Sequence, residues 1–257
     1  MVATAVGVVV AATIGAVLLT HRSTPAGPAQ AAQALRAALG TARRAGNFHY
    51  RAVATQGNQS QVIVGDATPD GGRQQVTFGT QRFSLVLVGK TVYFQGNAAA
   101  VEGQLGLAPP VASAEANHWI SLQPGDPPYA TVEPGITTAS ALAQVSFDPA
   151  TMTTSTAGGR SVRRIVGVPS TSGSSAGTPA APVAGRAGLQ VDVASGLPTV
   201  FSTVVTAGQG QQSSTIRFSR WHERVRVAVP PGPVTYASLP APTLQPVPGA
   251  GGPTLIA

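Results

Sequence analysis

The chain contains no cysteine. Disulfide staples, thiolate metal ligands and thiol nucleophiles are therefore excluded, as is a lipid attached through a cysteine. Acid is scarce as well, with nine carboxylates in 257 residues and no two of them spaced as an acid/base pair. Lysine is reduced to Lys90, and the other fifteen basic residues are arginine. With abundant Ala, Gly and Pro, this bias points to a GC-rich, actinobacterial genome. No block of five or six like charges occurs, so the formal net charge of +7 is spread along the chain. Arg43-Arg44, Arg163-Arg164 and the spaced Arg217, Arg220, Arg224 and Arg226 read as the solvated faces of a helix and a sheet. Nucleic acid is not expected as a partner on this pattern. Attraction to acidic lipid headgroups stays open.

Long apolar runs are also missing, with one exception. Val2 to Leu19 is eighteen residues without a charge. As a helix it would cover roughly 27 Å, close to the hydrocarbon thickness of a bilayer. It exceeds the roughly 7–15-residue core of a secretory signal and has no basic flank before it. Residues 1–20 are thus expected to form a transmembrane anchor or uncleaved signal, with the cytoplasmic membrane engaged through residues 2–19; the alternative is a signal cleaved at Ala29-Gln30-Ala31 or Ala32-Gln33-Ala34. The bulk of the chain would then lie outside the cytoplasm.

Residues 21–28 form a short linker. Ala29 to Ala45 is rich in helix formers and carries Ala34, Leu35, Ala38 and Leu39 as an apolar stripe, with Gly46 as the stop. From Asn47 the period changes to two. Alternating segments are predicted at Asn47–Val53, Gln61–Asp66, Arg73–Gly79, Arg82–Val88, Thr91–Gln95, Asn117–Leu122, Ser161–Val168, Ala187–Ala194, Thr199–Thr206, Gln212–Arg220 and Arg224–Val229. Pro69-Asp70-Gly71-Gly72 and Gly89-Lys90 supply hairpin turns. Most gaps are too short for parallel crossovers, so an antiparallel sheet is expected. Short helices are expected around Val101–Leu107 and Thr137–Val145. A flexible loop is expected at 170–185 and a Pro/Gly-rich tail at 240–257.

Motifs for catalysis do not hold up. Gly173-Ser174-Ser175-Ala176-Gly177 matches G-x-S-x-G, but its low-complexity flanks lack the strand and helix of a nucleophile elbow. Gly89-Lys90-Thr91 has Ser84 where a phosphate loop needs glycine, and the intervening residues read as a strand. His49, His118 and His222 have no ligand spacing between them. No catalytic residue, metal or cofactor is expected.

The order of patches carries a family resemblance. Gly89-Lys90-Thr91-Val92-Tyr93-Phe94, Asn117 to Leu122 with its Trp119, Val191-Asp192 followed by Gly196-Leu197-Pro198, and Phe218-Ser219-Arg220-Trp221 before Val225-Arg226-Val227 resemble, in sequence order, the LolA-like superfamily. Within it they are most similar to the mycobacterial LppX/LprG-type lipoproteins, over Ala29 to Leu239. The resemblance implies an α+β domain at 29–239, in which an antiparallel meander of about eleven strands forms a half-barrel wrapped around helices. It also implies an apolar cavity for a lipid or acyl-chain ligand. By strand alternation, the cavity candidates are Val62, Val64, Val76, Phe78, Phe83, Leu85, Leu87, Ile216 and Phe218. The lipoprotein members carry a lipid-bearing cysteine and this chain does not, which favours holding, presenting or sensing a ligand over shuttling it. The alternatives are an envelope sensor that detects lipoproteins and signals to a partner protein, and a structural envelope protein with a closed core.

Overall fold

The computed structural model describes residues 26–157, 159–170, 184–207 and 210–240. Its first element, α1 (Pro28–Ala45), opens with proline in the first turn, where no intrahelical N–H is missed. Ala31, Leu35, Ala38 and Ala42 form its buried face. Arg43 and Arg44 lie in the last turn, against the negative end of the helix dipole, and Gly46 ends the helix at φ +78°. The small alanine face lets α1 pack closely on the sheet, chiefly on β7.

The strands are β1 (Phe48–Gln56), β2 (Gln59–Thr68), β3 (Gly71–Phe78), β4 (Gln81–Val88), β5 (Thr91–Gly96), β6 (Ile120–Leu122), β7 (Phe147–Ala157), β8 (Arg160–Pro169), β9 (Ala184–Asp192), β10 (Pro198–Ala207), β11 (Gly210–Ser219) and β12 (Val234–Thr235). Between β5 and β6 lie α2 (Ala98–Leu105) and α3 (Pro109–Ala114), and between β6 and β7 lie α4 (Tyr129–Val132) and α5 (Thr138–Ala143). The sheet order is β12-β6-β5-β4-β3-β2-β1-β11-β10-β9-β8-β7. Two meanders, β1–β6 and β7–β11, therefore meet at β1 and β11, paired from His49↔Ser219 to Gln56↔Gln212.

The sheet is large, open and of α+β type, but it departs from the expected meander in three ways. It has twelve strands and is mixed, because β12 runs parallel to β6. β7, FDPATMTTSTA, was not expected, since threonine and serine dilute its apolar alternation. Arg224–Val229 belongs to no strand. Its RVRVAV alternation is real, but Val225 and Val227 line a cleft together with the β2–β3 and β4–β5 turns, and the segment joins no ladder. This segment carries the chain from β11 past the strand ends to β12, beside β6. That is a sideways distance of roughly 34 Å at strand spacing.

One face of the sheet packs on the helices. Phe48, Phe94, Phe201, Leu105, Leu107, Ile120, Ile136, Leu142, Ile165 and Leu189 are fully buried there and belong to one continuous cluster. Phe83 stacks on Phe94 with ring centroids 5.2 Å apart, and Phe147 stacks on Phe201 at 5.9 Å. A polar network crosses this interior. The Tyr50 hydroxyl donates to the Gly135 carbonyl at 2.9 Å and accepts from Gln74 Nε2 at 2.6 Å. Burial pushes the Tyr50 phenol well above its usual pKa, with the nearby Asp66 charge adding to the effect and the Gln74 bond opposing it. Gly65 lies directly across from Tyr50, and a Cβ there would come 2.6 Å from the ring. Glycine is thus what admits the tyrosine.

Among the described residues no helix is long and apolar enough to cross a membrane. Val2 to Leu19, residues 171–183 of the expected loop and residues 241–257 of the expected tail lie outside them.

Candidate ligand-binding site

The nine cavity candidates do not share one environment. Val76, Phe83, Leu85, Leu87, Ile216 and Phe218 face the helices and are buried in the core cluster. Phe78 follows Val76 on the same side of β3 and is half-buried. Val62 and Val64 are on the opposite face. On β2 it is Ile63 that turns inward, pairing with Ala52 and Val76. Successive side chains of a strand point to opposite sides, so Val62 and Val64 must point out. Three apolar residues in a row hid the phase of this strand. The six core candidates share one buried cluster with helix residues such as Val101, Leu105 and Leu142.

Open space lies instead where turns meet. One cleft there has a volume of about 820 Å³. It is lined by the β7–β8 turn with Arg160 and Ser161, by residues 192–197 and Thr199, and by Phe218, Ser219 and Trp221. Of the nine candidates, only Phe218 borders it. Its floor is an aromatic cluster in which Trp221 lies 4.7 Å from Phe48 and 5.9 Å from Phe218 between ring centroids. Trp221 is fixed at its polar edge, where Nε1 donates to the Pro198 carbonyl at 3.1 Å. Either side of it, Arg220 and His222 adopt positive φ of 51° and 64°, a conformation uncommon outside glycine and asparagine. The His222 N–H donates to the Asn47 carbonyl at 3.0 Å, which ties this corner to the start of β1.

The rim is polar. Asp192 closes the β9–β10 turn by accepting from the Ser195 N–H at 2.8 Å and the Ser195 hydroxyl at 2.9 Å. These bonds, the backbone one first, hold its carboxyl below the usual range, and attraction to Arg160 adds to them. The cleft thus combines the apolar surface of Phe218, Leu197 and Trp221 with a charged rim.

A second groove, of about 410 Å³, runs over the outer face of β1–β4 toward Trp119. At one end Asp66, 8% exposed, accepts from His49 Nδ1 at 2.8 Å and from Arg73 Nε at 2.7 Å. Burial works against ionisation of Asp66, but the bonds and charges of His49 and Arg73 outweigh it and hold the carboxyl below its ordinary value. The three histidines singled out from the sequence are not brought together. His118 lies 3.7 Å from Glu115 on exposed surface, and His222 packs at the corner described above. Among the described residues no group of three His, Asp or Glu is placed to hold a metal. Ser175 of the G-x-S-x-G match lies outside the described residues.

The fold defined by these elements is a broad, open sheet closed over helices on one face, with a cleft at its turn-lined end and a groove over its outer face. Solved structures with a similar course of the chain include LprF from Mycobacterium bovis, at 12% identity and a TM-score of 0.44, covering 80% of this chain and all of that one. They also include MucB in complex with the periplasmic part of MucA, at 15% identity and a TM-score of 0.34, covering 74% of this chain and 56% of that one. The Pseudomonas aeruginosa MucA/MucB complex gives the same identity and score, covering 55% of that chain. This chain thus spans little more than half the length of the MucB chains. No family model matches the sequence. No curated protein matches it either. At these identities and scores the likeness is one of fold and carries no assignment of ligand or partner.

Proposed function

We propose that this chain is a non-catalytic, extracytoplasmic binding protein, tethered by residues 2–19, which holds the acyl chain of a lipid or lipidated ligand. The observation that carries the reading is the cleft of about 820 Å³ lined by Phe218 and Trp221, with buried Phe48 packed behind them. Its volume falls in the range of small-ligand pockets, and its polar rim can face a headgroup while its floor accepts an alkyl chain. The packed interior of the sheet supports placing the ligand at this end, because the six buried candidates are already covered by protein.

Trp221 is a built-in reporter, since Trp119 is the only other tryptophan. In a Trp119→Phe background, a brominated fatty acid should quench Trp221 saturably in the full-length chain. Ala194→Glu, which places a charge on the exposed rim, should weaken that quenching about tenfold, because a carboxylate facing an alkyl chain is poorly solvated. Equal quenching curves for the two proteins would rule out acyl binding at this cleft.

A further inference from the structure

We infer that the outer face of β1 and β8–β11 is a contact surface for an anionic membrane. These five strands together contain six arginines and one carboxylate, Asp192. The Asp192 carboxylate is engaged by Ser195. Arg163 sits on the helix-facing side of β8, in phase with the buried Ile165, and the other five arginines point outward. Arg51 and Arg217 are direct cross-strand partners, both exposed, and neither forms an ion pair among the described residues. Like charges set directly opposite each other destabilise a sheet. A face selected only for solubility mixes signs instead. The nearest carboxylates on flanking strands do not relieve the pair. Asp66 on β2 is taken by His49 and Arg73, and Asp148 on β7 lies opposite Val168 at the edge of the sheet.

The same face carries apolar side chains out in solvent. Val168 is 53% exposed and Val204 37%, and Val204 is the cross-strand partner of Arg186. Valines between arginines match a headgroup layer, where guanidinium groups meet phosphates and short apolar side chains reach the acyl boundary. Chain geometry places the anchor's exit at one edge of this sheet. Ala26 bridges Met152 on β7, the neighbour of β8. Seven Cα steps separate Leu19 from Ala26, a reach of about 25 Å at most. The inference rests on the proposed anchor, which would hold the β7–β8 edge near the bilayer, within reach of the arginine face that begins at β8.

The absence of native cysteine makes the test direct, because one introduced thiol is a unique label. Thr215→Cys, on the outer face of β11, would carry an environment-sensitive dye in the full-length chain. That chain would be reconstituted in vesicles of phosphatidylcholine alone or with phosphatidylglycerol added. A headgroup-level quencher should reach the dye only with the anionic lipid, and salt should abolish the effect. Each arginine near such a surface contributes a factor of about five, so Arg51→Gln with Arg217→Gln should lower the docked fraction about 25-fold relative to undocked. This pair removes a repulsion, so an unchanged or raised melting temperature separates lost docking from misfolding. Equal quenching in both lipids, in a chain that floats with both, would overturn this inference alone. A chain that floats with neither would overturn the anchor and the inference together. Protection of the dye by soluble polyglutamate but not by anionic vesicles would make the occupant an acidic protein and also defeat the inference.

Discussion

Replacing Tyr50 by phenylalanine removes one oxygen and strands two groups. The hydroxyl is the partner of both the Gly135 carbonyl and Gln74 Nε2, and the Tyr50 and Gln74 side chains are almost wholly buried. Water cannot replace the lost oxygen without opening the space between β1, β3 and the loop before α5. An unsatisfied buried donor or acceptor costs about 1–3 kcal/mol, so two should cost about 3 kcal/mol in all once some relaxation is allowed. For a domain of this size, that is a fall in melting temperature of roughly 6–12 °C. Urea unfolding should show a lower midpoint with an unchanged slope, because the exposed surface on unfolding is the same. Adding Gln74→Met to Tyr50→Phe removes the stranded donor and should recover about 1 kcal/mol, a coupling that independent sites would not show. A single variant within about 0.5 kcal/mol of the parent would refute the assignment of this network as a buried, mutually dependent unit.

Two further outcomes follow from neighbouring residues. Asp66 has a lowered pKa in the folded state, so its contribution is present at neutral pH and is lost as pH falls below the ordinary carboxylate range. Asp66→Asn should cost about 2 kcal/mol at pH 7 and almost nothing under strongly acidic conditions, as measured by urea midpoints across pH. Gly72→Ala would drive a Cβ into the Ile136 and Asp66 carbonyls, which belong to backbone and cannot swing aside. It should destabilise by about 3 kcal/mol and loosen the loop leading into α5, seen as faster amide exchange there.

Local signals were legible wherever a short stretch of chain specifies its own geometry. The Ala/Leu stripe of α1 and the turns at 69–72 and 89–90 did so, and the structure has the corresponding helix and hairpins. β7 was hidden because its pairing with β8 and its cover by α1 stabilise a Thr-rich segment of low hydrophobicity. Arg224–Val229 misled for the opposite reason, since alternation is present but its pairing partner is not. On β2, Val62-Ile63-Val64 gives no phase, and only the seat of Tyr50 over Gly65 selects Ile63 as the inward residue. The cleft was invisible to any local pattern, because its walls come from three turns far apart in sequence. Trp221 stands in the sequence only as part of the Phe218-Ser219-Arg220-Trp221 patch, but what makes it part of a site is its contact with Phe48 and its bond to Pro198.

The seam between the two meanders sets a constraint on how the chain acquires its shape. His49 meets Ser219 across a separation of 170 residues, and the adjoining positions zip in the same register. Closing so long a loop costs roughly 4–5 kcal/mol of chain entropy before any contact forms. Until residues 212–219 have been synthesised, β1 is an unpaired edge in the middle of the future sheet, with its N–H and C=O groups open to any other strand. Each half can build its hairpins early, from local contacts. The last step is then a docking of two preformed ribbons, slow by topology, during which the nascent chain is at its most prone to pair with a second copy of itself.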